Sequence, residues 1–140
     1  MFAGESREAL RARYVTAWRR RREGLPLEPL DAAIADVIEL HPEYQAMLGD
    51  AGSIDGGFTV EEGRINPFLH MGLHLALREQ LATRRPAGIE KIYTALAKRL
   101  GSSHEAEHRM IDALAEALWD AQRRGIPPDE AAYLDRLRRL

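Results

Sequence analysis

The chain contains no cysteine in 140 residues. That single absence removes disulfides, thiolate nucleophiles, cysteine-ligated zinc and iron–sulfur clusters, so any metal has to be held by His, Asp or Glu. Long apolar runs are missing as well. Arg7, Arg11 and Arg13 break up the first helix-length segment, and no stretch reaches the length that spans a bilayer. The expectation is therefore a cytoplasmic protein with no membrane contact. An excess of one charge is also lacking: 20 basic and 22 acidic side chains give a net charge of −2, which makes no electrostatic case for nucleic acid. Finally, no segment alternates apolar and polar residues for long enough to propose a strand.

What is present is helical periodicity. The length suits one domain over residues 1–140, large enough to bury a core without covalent staples. The predicted fold is all-α: a helical bundle of four main helices, with short helices after His41 and at the C-terminus. Leu10, Tyr14, Ala17 and Trp18 share one face of a first helix, which Gly24 and Pro26 stop. Arg19 to Arg22 fall in its last turn, where cations suit the helix dipole. With Trp18 at a core spacing and no glycine loop beside it, this run reads as a helix end and not as a phosphate site. Pro29 opens a second helix that carries Leu30, Ile34, Val37 and Ile38 to Leu40, and His41-Pro42 bends the chain into a short helix ending at Leu48. Residues 49–65 hold five glycines and no clear period, which makes them a candidate lid; Thr59 to Glu62 reads as a small capping box.

Asn66 and Pro67 open the most apolar helix, running to Leu81, on which Gly72 permits close approach of a neighbour. Burial on more than one side of it fits a symmetric homodimer as well as a central position in the bundle. Ile89 to Leu100 forms the next helix, closed by Gly101. Ser102 and Glu105 then make a capping box for a long helix beginning at Ser103, with Met110, Ile111, Leu114, Leu118 and Ala121 as its core stripe.

The histidines stand out against this frame. Four of the five form two pairs with four-residue spacing, His70 with His74 and His104 with His108, so each pair occupies one helix face a turn apart. Two imidazoles so placed can bind one ion. The candidate metal ligands are His70, His74, His104 and His108, with His41, Glu79, Glu107 and Glu116 as further ligands or supporting groups. Nitrogen and carboxylate donors suit a divalent transition metal: zinc, iron, nickel or manganese. Against this stands a plainer reading, in which buried imidazoles are satisfied by hydrogen bonds within a non-catalytic interaction module.

The letters HEAEH also satisfy the H-E-x-x-H pattern of zinc hydrolases and its inverse, with Glu105 or Glu107 as base. Here the motif opens a helix instead of sitting inside one, and no strand is expected to hold a peptide. Glu105-x-x-His108 is half of a ferritin-like di-iron signature whose other half the chain lacks. A histidine site between two helices has fold-level analogues in hemerythrin-like and DinB-like bundles, though neither ligand order is present.

AWRRRREGLPLEPL near the start, HPEY at 41–44, NPFLHMGLHLALREQ at 66–80, the HEAEH step and LWDAQRRGIPPDEAAYL near the end together resemble the bacterial domain of unknown function 1841 family over nearly the whole chain. The resemblance assigns no activity, substrate or ligand. In the family pattern the tyrosine of HPEY is often followed by another histidine, where this chain has Gln45, and the residues between the last two histidines vary. The resemblance therefore implies that Glu105 is not an obligatory base.

Overall fold

The computed structural model describes residues 7–48 and 66–140, and the candidate lid and its capping box lie outside them. Among the described residues there are seven helices and no strand: α1 (Arg7–Arg22), α2 (Pro29–Glu39), α3 (Pro42–Leu48), α4 (Pro67–Thr83), α5 (Ile89–Leu100), α6 (Ser103–Arg124) and α7 (Glu130–Arg138). The all-α expectation holds, but the arrangement of four main helices does not. Five of the seven run 11 residues or more. No described helix is long and apolar enough to cross a membrane.

Residues 1–75 and 76–140 form two compact units, and α4 runs through the boundary between them. In the first unit Tyr14, Trp18, Ile34, Ile38, Phe68 and Met71 belong to one buried core. Burying side chains of this size is worth roughly 1.5–3 kcal/mol each. Tyr14 meets Phe68 edge-on at 5.6 Å, and the buried Arg11 lays its guanidinium over the Phe68 ring at 4.9 Å. Arg13 donates to Asp31 at 3.0 Å and Arg21 to Asp36 at 2.9 Å, fixing α1 along α2. The arginine run thus has partners of its own: Arg20 closes the helix end on the Pro26 carbonyl at 2.8 Å, beside Gly24 at φ 70°.

In the second unit, α5 is bounded by Gly88 and Gly101, both at positive φ. Ser102 has extended backbone and its Oγ accepts from the Glu105 amide at 3.1 Å, so α6 starts at Ser103 as the spacing predicts. Only half of the capping box forms. The Ser102 amide donates to the Ala97 carbonyl, and the Glu105 carboxylate turns to Arg109 at 3.6 Å. Along α6, Met110, Ile111, Leu114 and Ala121 are buried, whereas Leu118 is 41% exposed and Trp119 61% exposed under the Arg123 guanidinium. Of the predicted stripe, Leu118 alone is exposed, and Ala121 beyond it is buried again. Gly125 ends α6, Asp129 caps α7, and the Tyr133 hydroxyl donates to Gln80 on α4 at 2.8 Å.

Candidate metal centre

The first histidine sits where α2 stops. The residue before a proline is pushed out of the helical region, so α2 stops at Glu39, just short of His41, and its last carbonyls can take partners from outside the helix. His41 answers one of them: its ring Nδ1 lies 2.7 Å from the Val37 carbonyl oxygen. A carbonyl only accepts, so Nδ1 carries the hydrogen and the neutral ring keeps its lone pair on Nε2. Gln45 donates to the Ile38 and Glu39 carbonyls at 3.3 Å, completing the same helix end where the family pattern often has histidine. Pro42 starts α3, which carries Tyr44 parallel to the His41 ring at 5.4 Å and 10°. Burial, then the neighbouring Glu43 charge, raises the Tyr44 phenol above its ordinary value, so it stays a neutral hydroxyl.

The second and third histidines are set by the start of α4. Asn66 accepts through Oδ1 from the Phe68 and Leu69 amides at 3.0 and 3.4 Å, with Pro67 as the first helical residue. His70 and His74 then stand one turn apart, rings 4.7 Å from each other and Nε2 to Nε2 3.1 Å. Both meet His41 edge-on, His70 at 5.2 Å and His74 at 4.6 Å. His41 and His74 are fully buried at 1% and 0% exposure, and His70 is half-buried.

On α6, His104 and His108 face each other with centroids 4.1 Å apart. Between them in sequence, Glu107 is buried and receives the Arg78 guanidinium as a fork, Nε to Oε1 at 2.8 Å and a terminal nitrogen to Oε2 at 3.4 Å. Glu79 is exposed, and Glu116 pairs with Arg136 at 2.9 Å. Three histidines of the first unit, His41, His70 and His74, therefore lie close together, and His104 and His108 form a pair of their own in the second.

Two nitrogens bound to one tetrahedral zinc at about 2.0–2.1 Å stand about 3.3 Å apart. The His70–His74 separation of 3.1 Å is close to that value. Three imidazoles form a borderline donor set that suits zinc and its transition-metal neighbours and not the hard, oxygen-seeking calcium or magnesium. The carbonyl-anchored Nδ1 of His41 is the support that a ligating imidazole usually has. Arg78 escaped the sequence reading, although a signal existed: Glu107 shares its face with Met110, Ile111 and Leu114, and a carboxylate in a core stripe needs a cation.

Fold and cluster together define an all-α protein whose first unit gathers three histidines. The chain belongs to the family described as Domain of unknown function (DUF1841), whose model matches residues 6–139. No curated protein and no solved structure matches the chain.

Proposed function

We propose that this protein binds one divalent transition metal, zinc first among the candidates, through imidazole nitrogens of His41, His70 and His74. The observation that carries the reading is the 3.1 Å approach of the His70 and His74 Nε2 atoms beside His41, whose tautomer the Val37 carbonyl fixes. Iron, nickel and manganese are the other members of the class, with manganese disfavoured by the absence of a carboxylate in the set. His104 and His108 pack on each other on α6. Three protein nitrogens on a tetrahedral zinc leave a fourth position for water or another donor. The hydrolase reading of HEAEH is weakened because Glu105 pairs with Arg109 and Glu107 with Arg78.

The test is metal analysis of protein purified without a histidine tag or nickel column, followed by zinc titration against a chromophoric chelator. One equivalent per chain is expected, lost in the His70→Ala/His74→Ala variant. Wild-type protein that neither carries nor takes up metal would end the proposal. The competing reading, a non-catalytic interaction module, draws on Trp119, which is 61% exposed beside Leu118. It predicts that metal changes nothing, and that Trp119→Ala alters self-association in light scattering.

A further inference from the structure

Tyr44 packs on two members of the histidine cluster in the first unit. Carried by α3 and half-buried, its ring lies parallel to His41 at 5.4 Å and 10° and meets His70 at 6.2 Å and 72°. Among the described residues its hydroxyl makes no hydrogen bond. A half-buried phenol thus keeps a donor to be satisfied next to the proposed ligands.

Ring geometry limits what that hydroxyl can do for a metal. With Nδ1 on the Val37 carbonyl, His41 offers Nε2, and an ion on that lone pair lies in the plane of the His41 ring. The tyrosine oxygen lies in the plane of its own ring, which runs parallel at a stacking distance of about 3.5–4.0 Å. A bond from oxygen to zinc needs about 2.0–2.2 Å, so Tyr44 is not itself a ligand. A hydrogen bond to an atom carried by the ion is different, because a metal–oxygen bond of about 2 Å and an O–H···O contact of about 2.5–3.0 Å together exceed one ring thickness. Charge says what that atom belongs to. Three neutral imidazoles bring no negative charge, and His41 and His74 are buried, so a divalent ion on them keeps its double charge where an unpaired charge is costly. An anion in the fourth position offsets it, and a donor beside that anion strengthens the contact. We infer that the site takes a small anion, hydroxide included, in its fourth position and that the Tyr44 hydroxyl donates a hydrogen bond to it, an inference that rests on the reading of a histidine metal site.

The test uses the full chain loaded with cobalt(II) and titrated with azide, a monodentate anion that accepts hydrogen bonds. Azide should change the visible bands of the wild-type cobalt protein and saturate. Tyr44→Phe keeps the ring and its stack and removes only the hydroxyl. Its zinc affinity should equal that of wild type, while its azide dissociation constant rises by about 10-fold or more, the scale of a hydrogen bond to a charged acceptor. A purely structural role for Tyr44 would move the melting temperature or zinc affinity and leave azide affinity alone. Equal azide affinity in the two proteins would overturn the inference. So would a wild-type cobalt spectrum that azide does not alter, because the protein itself then fills the fourth position. Failure of the underlying site looks different: wild type would show no four-coordinate cobalt bands, with azide or without it.

Discussion

The Nε2 atoms of His70 and His74 stand 3.1 Å apart on consecutive turns of α4. Without a metal, one ring donates and the other accepts, so the two imidazoles hold a single hydrogen between them. On the proposed metal, both lone pairs would turn to the ion and that hydrogen would move to an Nδ1. The four-residue spacing on α4 sets the short separation, and Asn66 with Pro67 fixes where that helix begins.

Gly72 lies between these histidines on α4. Among the described residues, a Cβ built there meets only the Tyr14 hydroxyl, at 3.9 Å, an ordinary contact. Gly72→Ala should stabilise the protein by about 0.5–1 kcal/mol, since alanine restricts the unfolded chain and favours the helix. Urea unfolding checks this. A loss of stability would mean that the Cβ meets more than the Tyr14 hydroxyl.

Burial raises the Tyr14 phenol to about 12, and raises Tyr133 for the same reason. A folded value above the unfolded one means that Tyr14 contributes stability in full below about pH 10, its unfolded value, and loses it as pH rises through about 12. The contribution is on the order of 2 kcal/mol. Stability from urea midpoints should fall between pH 10 and 12, and less steeply in Tyr14→Phe. Equal slopes would show that Tyr14 ionises as freely in the folded protein as in the unfolded chain.

Ser102 carries the cap of α6 through one hydrogen bond to the Glu105 amide. Ser102→Ala should cost about 1 kcal/mol and Ser102→Gly less than half of that. Glu105→Ala should cost little, because its carboxylate does not close the box and its pair with Arg109 is solvent-exposed. Thermal melts of the three variants give the order, and Glu105→Ala ranking with Ser102→Ala would contradict it.

Helix limits were the most legible part of this chain. Gly24, Gly101, Ser102 and Gly125 punctuate it in the conformations their chemistry favours, and the structure ends or begins helices at each of them. Both four-residue histidine pairs were legible for the same reason, as helical periodicity alone makes them neighbours. Periodicity also predicted burial for Leu118, which is exposed although Ala121 beyond it is buried, because a stripe in sequence does not say which of its turns a neighbour covers. The partner of Glu107 was hidden, since Arg78 and Glu107 are 29 residues apart and only tertiary packing joins them. His41 stood in the sequence as a lone histidine at a helix joint. Its membership of the group depends on how α2 and α3 carry that joint to α4, which no local pattern encodes.

The central claim is that these histidines bind a metal in the folded state, and a ligand that binds only the native state raises its melting temperature by mass action. Melts of wild type and of His70→Ala/His74→Ala, each with chelator and with added zinc, test it most directly. The account predicts a zinc-dependent rise in wild type alone, by several degrees at saturating metal. The double variant should melt at one temperature in both conditions. Identical wild-type melts with chelator and with zinc, together with no metal in the purified protein, would contradict it.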